Sequence, residues 1–188
     1  MLEKLALEMV MYTCPERQNT RAATLRSLGE TDWRSDFRLV TDCGRGSPSL
    51  ARMATTFVRA LDAAASSKAD FVVVVEDDVR FNRYFEHNVR EWCERIAPQS
   101  IGSLYHSSLS AYVGNQAIVA APSAWRALWT VAHLRSAEQL QPFDRWLRRT
   151  AGSRFVIHRP SLVDHVAHAS TCGHPLHHAV GFDPWWRA

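Results

Sequence analysis

Apolar and polar residues along the first hundred positions follow two different periods, which predict strands separated by helices. Each stretch with strand character is followed by apolar positions at helical spacing, which give a helix one apolar face. This order is typical of a parallel sheet covered by helices. The strand patterns span residues 5–13, 37–40 and 71–75, and the helical patterns span residues 16–28, 50–61 and 84–96.

The second half of the chain is less regular, and its strands are separated by shorter or missing helices. It therefore predicts a mixed rather than a fully parallel sheet, so that the whole chain is an α/β protein with a mixed, mostly parallel sheet flanked by helices. From Pro160 onwards, His, Gly and Pro are frequent, and we expect irregular structure. The predicted strands are residues 101–105, 116–121 and 155–157, and the predicted helices begin at Pro122 and span residues 143–149.

Length and composition are those of one globular domain with a sizeable core: 188 residues, of which 46% are hydrophobic and 22% charged. The net charge of +3 is small and its basic side is almost entirely arginine. The four cysteines form no C-x-x-C pair, so we expect reduced thiols. The first residues lack the apolar core of a signal peptide and no stretch is long enough to span a membrane, which predicts a soluble, cytoplasmic protein.

The most informative segment is the apolar run of residues 71–75, which three carboxylates follow directly: Glu76, Asp77 and Asp78. Consecutive β-branched residues are typical of a strand buried on both faces. Like charges at the mouth of such a strand repel one another, and a divalent cation with oxygen ligands relieves that repulsion. A solvated acidic turn explains the same three residues equally well at this point.

Right-handed strand–helix–strand connections bring the ends of the first three strands to one edge of the sheet. Ligands of open α/β sheets bind at that edge. We therefore expect one site formed by residues 13–17, Asp42 and residues 76–78.

Six short patterns occur in an order that resembles the glycosyltransferases of the GT-A type. More narrowly, the chain is similar to the lipopolysaccharide-type galactosyltransferases and to the N-acetylglucosaminyltransferase-IV group. The patterns are Thr13-Cys14-Pro15-Glu16-Arg17, a second strand ending at Asp42, Val75-Glu76-Asp77-Asp78-Val79, Gly114-Asn115-Gln116-Ala117, Pro142-Phe143-Asp144-Arg145-Trp146-Leu147, and Pro160-Ser161-Leu162-Val163-Asp164-His165.

The resemblance implies that residues 1–110 bind a nucleotide sugar, with UDP as the expected nucleotide, and that residues 111–188 carry the acceptor and catalytic part. A Mn²⁺ or Mg²⁺ ion is expected to bridge the diphosphate and the carboxylates, with Asp78 as the direct ligand. We expect Glu76 nearer the ribose or behind the direct ligands of the ion. We expect Asp77 to be packed rather than ligating, because strand alternation turns it to the other face if the strand extends that far. The residues expected to bind the donor are Thr13, Cys14, Pro15, Arg17, Asp42, Glu76 and Asp77.

Two later residues complete the predicted site. Asp144 is the candidate base for an inverting reaction, although a carboxylate at the start of a helix is equally well explained as an N-cap. His165 is the candidate second metal ligand, with His168 as the next choice, because Mn²⁺ accepts imidazole as well as oxygen. The similar families often carry Gln at the position of Asp164, so this chain adds a charge there.

Two other functions remain open at this stage: a metal-dependent phosphohydrolase or nucleotidyltransferase, and a non-catalytic binding module of the same fold. No phosphate-binding loop or phosphatase nucleophile motif surrounds residues 76–78, which disfavours the first of these. The acceptor, a saccharide or a nucleic-acid base, and the oligomeric state are not fixed by the sequence.

Overall fold

The computed structural model describes residues 5–42, 49–107, 116–166 and 178–188. Its strands form a central six-stranded sheet and a separate two-stranded sheet. The strands are β1 (Leu7–Thr13), β2 (Asp36–Thr41), β3 (Phe71–Glu76), β4 (Val79–Phe81), β5 (Ile101–Ser103), β6 (Ala117–Ala120), β7 (Phe155–Ile157) and β8 (Val163–His165), and the helices are α1 (Gln18–Gly29), α2 (Leu50–Ala65), α3 (Phe85–Cys93), α4 (Pro122–Ala132) and α5 (Phe143–Ala151).

The central sheet has the order β2-β1-β3-β6-β5-β7. Strands β1, β2 and β3 run parallel to one another, and β6 is antiparallel to both of its neighbours, β3 and β5. Because β7 is again parallel to β5, β6 is the strand of reversed direction in this sheet. The mixed, mostly parallel sheet expected from the sequence is confirmed.

The sheet is covered on both faces, and the alternation of side chains along β1 and β3 explains why. Val10 and Tyr12 join a core cluster with α2, α4 and α5, whereas Met9 and Met11 join a second cluster with α3 and the last turn of α1. Every residue of β1 is buried, as is the apolar run of β3. Two apolar faces on one strand are what a sheet between two helical layers requires.

Two short strands were not expected from the sequence. β4 follows the carboxylates and pairs antiparallel with β8, which lies in the region beyond Pro160 that we expected to be irregular. That expectation was wrong because three residues are too few to show a strand period. The pairing aligns Val79 with His165 and so brings the end of the chain to the carboxylates.

No helix in these four ranges is both long and apolar enough to cross a lipid bilayer.

Gly102 in β5 allows a close approach of Trp92 from α3. A Cβ atom at residue 102 would lie 2.5 Å from Cζ3 of Trp92 and 3.1 Å from Cγ1 of Val119. We predict that Gly102→Ala lowers the free energy of unfolding by about 1–3 kcal/mol, because the indole ring must move. Urea unfolding measures this change.

Gly29→Ala is the matched control for this prediction, because a Cβ there meets no atom within 4 Å. Its stability should equal or slightly exceed that of the wild type, since alanine favours helix over glycine. Equal stability of the Gly102→Ala variant and the wild type would contradict the proposed clash.

Candidate active site at the carboxyl edge of the sheet

Three neighbouring strands bring their last residues to the same edge of the sheet. The register places Tyr12 opposite Glu76, and Thr13 opposite Thr41. The backbone N–H of Asp42 donates a hydrogen bond of 2.8 Å to the carbonyl of Thr13, which extends this alignment beyond the strands. The expected convergence of residues 13–17, Asp42 and residues 76–78 is therefore present.

Asp77 is buried in the turn that follows β3. The hydroxyl of Thr13 donates to its carboxylate, and the hydroxyl of Thr24 donates to its backbone carbonyl at 2.8 Å. Burial raises the pKa of Asp77 to about 6, although Arg17 and Thr13 act in the opposite direction. The packed position agrees with expectation, but the reason we gave for it was wrong: β3 ends at Glu76, and hydrogen bonds rather than strand alternation fix Asp77.

Arg17 neutralises two of the three carboxylates. Its guanidinium lies 3.2 Å from Oδ1 of Asp77 and 2.6 Å from Oδ2 of Asp78. Burial by itself would lower the pKa of Arg17, but Asp78 and Asp77 raise it overall, so the side chain is a permanent cation. Arg17 ends a short 3₁₀ turn, Pro15–Arg17, that directly precedes α1. The loop after β1 thus supplies the charge that stabilises the loop after β3.

His165 approaches the same carboxylate from the second sheet. Its Nδ1 lies 3.6 Å from Oδ2 of Asp78, and the N–H of Val166 donates to the carbonyl of Asp78 at 2.7 Å. The ring also contacts Tyr105 edge-on, with 5.8 Å between ring centroids. The pairing of β4 with β8 is therefore the element that brings the predicted ligand pair, Asp78 and His165, together.

Glu76 shares a hydrogen bond with the buried phenol of Tyr12, whose hydroxyl donates to Oε1 at 2.7 Å. Burial raises the pKa of Glu76 to about 8, and the charge of Asp78 acts in the same direction. Burial also raises the pKa of Tyr12, so its hydroxyl keeps its proton. Glu76, with a pKa of about 8, thus takes up a proton more readily than Asp77, with a pKa of about 6.

Asp42 is buried and bound to Arg52, whose Nε lies 2.6 Å from Oδ2 of Asp42. The same guanidinium binds Glu16 at 2.8 Å and so connects the loop after β1 with the end of β2. Cys14 is half-buried, and burial raises the pKa of its thiol. Pro15, the remaining predicted residue of this loop, is exposed at the start of the 3₁₀ turn.

Asp144 lies in the first turn of α5, and the N-cap of this helix is Pro142. The alternative N-cap role of Asp144 is therefore wrong. Within the described ranges its carboxylate has no hydrogen bond or ion pair. The ring of Phe57 packs against two other rings, with 4.8 Å between its centroid and that of Phe143 and 5.7 Å to that of Tyr12. These aromatic side chains connect the start of α5 to the carboxylate cluster.

Asp164 does not add a free charge beside Asp78. It is buried and accepts hydrogen bonds of 2.7 Å from Arg80 and from the backbone N–H of Ala179. Burial would raise the pKa of Asp164, but Ala179 and Arg80 lower it overall. Its charge fixes the chain end against β4.

Three supporting residues were missed from the sequence: Tyr12, Thr24 and Arg52. Tyr12 has a detectable signal, a polar hydroxyl at the end of a buried strand. Thr24 and Arg52 have none, because nothing distinguishes them from other polar residues of their helices.

The donor atoms of the described residues provide part of a metal site. Across these ranges no group of three or more His, Cys, Asp or Glu side chains is arranged to hold a metal ion by itself. However, Oδ1 of Asp78 is buried and has no hydrogen-bond partner among the described residues. A buried, unpartnered carboxylate oxygen is costly. Together with His165 it fits an ion whose remaining ligands are phosphate oxygens and water, as is usual for Mg²⁺.

Some residues named in the sequence analysis are not among those that the structure describes. Gly114 and Asn115, the alternative ligand His168, and also Cys43 and Cys172, lie outside the described residues.

The fold is the GT-A-like fold of glycosyltransferases, as comparison with solved structures shows. Over 82% of this chain, GlyE of Streptococcus pneumoniae TIGR4 superposes with a TM-score of 0.60 at 9% sequence identity. A glycosyltransferase involved in glycosylation of the major capsid of PBCV-1 has a TM-score of 0.55 at 10% identity, with 82% of each chain covered. The galactosyltransferase LgtC, solved with donor and acceptor sugar analogues, has a TM-score of 0.56 at 9% identity, over 86% of this chain and 87% of its own.

These identities are low, so the likeness concerns the fold alone. The chain spans 45% of the length of GlyE. No protein-family model and no curated protein matches the sequence. The narrower similarity to lipopolysaccharide-type galactosyltransferases and to the N-acetylglucosaminyltransferase-IV group stays a prediction.

The raised pKa of Glu76 gives a test of the carboxylate cluster that needs no substrate. Because the folded pKa of about 8 lies above the unfolded value of about 4.3, Glu76 destabilises the metal-free fold as the pH rises from about 4 to about 8. We predict that Glu76→Gln, which keeps an acceptor for Tyr12, melts at a higher temperature than the wild type at pH 8. The difference should shrink steadily towards pH 4.

Melting curves of both proteins in a metal chelator give this difference at each pH. Glu91→Gln is the control, because Glu91 is a half-buried residue of α3 that pairs with the exposed Arg95, away from the carboxylate cluster. A pH-independent difference for Glu76→Gln would contradict the assignment.

Proposed function

We propose that the protein is a metal-dependent, inverting glycosyltransferase that moves a sugar from a UDP-sugar to a hydroxyl acceptor. The observation that carries this proposal is the unpartnered buried oxygen of Asp78 beside His165, at the carboxyl edge of a GT-A-like sheet. Sugar transfer is also the activity in the names of the structurally similar proteins. LgtC was solved with donor and acceptor sugar analogues, which supports a sugar donor for this chain.

In this proposal Asp78 and His165 hold Mn²⁺ or Mg²⁺, while Thr13, Cys14, Pro15 and Asp42 line the donor site. The bound ion would stabilise, as a Lewis acid, the negative charge that develops on the departing diphosphate. Arg17 already lies at Asp78, and a guanidinium is well suited to bidentate phosphate contacts. In this proposal Arg17 leaves Asp78 and binds the diphosphate when the donor binds.

Glu76 faces the ribose, with its orientation fixed by the hydroxyl of Tyr12. Asp77 remains a structural member of the site, because Thr13, Thr24 and Arg17 already satisfy it. Its role is to hold the turn that presents Asp78.

Asp144 is the base that removes the proton of the acceptor hydroxyl during attack from the face opposite the leaving group. A carboxylate without an ion pair is available for this task, since no arginine of the described chain neutralises it. It lies in the first turn of α5, directly after Phe143, which packs in the core.

We predict that Asp78→Ala abolishes the stabilisation of the protein by UDP with Mn²⁺. The variant removes the carboxylate whose buried Oδ1 has no partner among the described residues and whose Oδ2 lies 3.6 Å from Nδ1 of His165. Thermal-shift measurements with UDP, GDP and TDP, each with and without Mn²⁺, give the result. The exposed Asp62 of α2 supplies the control Asp62→Ala, which should behave as the wild type.

Each outcome of that screen has a distinct meaning. Metal-dependent stabilisation by UDP that is lost in Asp78→Ala supports the proposal. Stabilisation by no nucleotide at all favours a non-catalytic binding module. A separate assay of phosphate release covers the third function: release from nucleotides without sugar transfer favours a phosphohydrolase.

Asp144→Asn should leave the affinity for UDP and Mn²⁺ unchanged and lower turnover by about 10²–10⁴-fold, which is the usual contribution of a general base. UDP release from a panel of UDP-sugars, in the presence of candidate acceptors, measures turnover, and calorimetry measures affinity. Glu138→Gln removes the other carboxylate between residues 122 and 159, and it should change neither quantity. Normal turnover of Asp144→Asn would show that the base assignment is wrong.

A further inference from the structure

Positive charge is concentrated in the segment from residue 122 to residue 159. The segment contains seven arginines, whereas its only carboxylates are Glu138 and Asp144. None of these arginines forms an ion pair among the described residues. The arginines that do form one all lie earlier in the chain: Arg17, Arg38, Arg52, Arg80, Arg83, Arg90 and Arg95.

Helix α5 presents the densest part of this charge. Its buried residues form one arc that packs into the core, and three exposed arginines occupy the opposite arc. Spacings of three and four residues make these arginines neighbours on the helix surface. The buried residues are Phe143, Trp146, Leu147 and Ala151, and the exposed arginines are Arg145, Arg148 and Arg149.

An ordinary solvated helix face mixes both signs of charge and gains stability from ion pairs. Here the outward arc carries arginine alone, and like charges at these spacings destabilise a helix. Asp144 precedes Arg148 by four residues, which is the favourable order for an ion pair, yet the two side chains form none. The face therefore remains unneutralised within the described protein.

We propose that the outward face of α5 is a binding surface for single-stranded nucleic acid. Arginine binds phosphate oxygens in a bidentate manner, and three neighbouring arginines on one helix face suit the closely spaced negative charges of a nucleic-acid strand. At the end of the neighbouring helix α4, the exposed ring of His133 stacks on the half-buried Trp129, with 4.4 Å between the ring centroids. Such rings are surfaces on which bases stack.

An anionic membrane fits this face less well. A helix that lies on a membrane buries its apolar arc among the lipids, but the apolar arc of α5 is already in the protein core. Among the described residues 122–159, Leu134 is the one large hydrophobic side chain that is strongly exposed. Phosphodiester binding needs no apolar insertion.

The position of Asp144 gives this surface a further meaning, which rests on the proposed function. Asp144 lies in the first turn of the same helix, so a strand bound along α5 lies beside the proposed base. The acceptor would then be a hydroxyl group of the nucleic acid itself. The binding test below uses no nucleotide sugar, so its result is independent of the transferase proposal.

Fluorescence anisotropy with a labelled oligothymidylate measures binding of the wild type and of the triple variant Arg145→Gln, Arg148→Gln, Arg149→Gln. We expect the triple variant to lose at least tenfold in affinity. The logarithm of the association constant falls linearly with the logarithm of the salt concentration. Measured from about 50 to about 200 mM NaCl, this slope should become less steep by about 2 in the triple variant, since each lost phosphate contact contributes about 0.7 for a single strand.

The matched control removes three exposed arginines elsewhere: Arg26→Gln, Arg95→Gln, Arg187→Gln. It has the same net charge as the test variant and should keep near-wild-type affinity. Circular dichroism of both variants confirms that they fold.

Three outcomes would overturn the proposal: no binding of the oligonucleotide by the wild type, equal loss in both triple variants, or arginine-dependent binding only to vesicles containing phosphatidylserine. The last result would assign the face to a membrane surface instead. If binding follows α5 but Asp144→Asn turns over normally, the surface stands and the base assignment fails.

Discussion

The site depends on how three consecutive carboxylates are stabilised at the end of a buried strand. Residues of β3 are buried on both faces, so the charges that follow emerge at the edge of a low-dielectric core. A different set of hydrogen bonds or ion pairs stabilises each of the three carboxyl groups. Glu76 shares a hydrogen bond with a buried phenol, Asp77 binds two threonines and an arginine, and Asp78 binds the same arginine with one oxygen. The other oxygen of Asp78 is buried and has no hydrogen-bond partner among the described residues.

Arg17 has two opposing effects in this arrangement. Its ion pairs with Asp77 and Asp78 stabilise the protein, and in the proposed function the same guanidinium competes with a cation for Asp78. An ion pair of 2.6 Å holds Asp78 in position, and this reduces the reorganisation needed when a cation arrives. In the proposed function, the same pair must be rearranged for a cation and a diphosphate to bind. Affinity for the metal alone is therefore expected to be lower than affinity for metal and nucleotide together, since the diphosphate gives the displaced guanidinium a new partner.

Much of the fold was predictable because long elements carry strong periods. The three parallel strands, the helices between them and the convergence of residues 13–17, Asp42 and residues 76–78 follow from apolar spacing and from the handedness of strand connections. The short elements were not predictable. β4 and β8 each span three residues, and their pairing depends on contacts between residues 82 or more positions apart, which no local pattern records.

The site residues divide in the same way. Residue types that attract attention by themselves, such as consecutive carboxylates or a late histidine, were found from the sequence. Residues that hold them in place, such as Thr24 and Arg52, were not, because their role exists only through partners distant in the chain. The expected orientation of Asp77 was right for a wrong reason, since the strand stops one residue earlier than the argument required.

The reversed direction of β6 has a consequence for how such a protein can diversify. Because β5 runs with β3 and β6 runs against both, the connection between β5 and β6 leaves and re-enters the sheet at the carboxylate edge. At that edge the N–H of Glu76 bonds to the carbonyl of Gln116 at 2.9 Å, and the N–H of Leu104 bonds to Ala117 at 2.9 Å. Residues can be gained or lost between these anchors without shifting any strand register. Recognition of new molecules can thus evolve at this edge while β1, β2 and β3 keep their register.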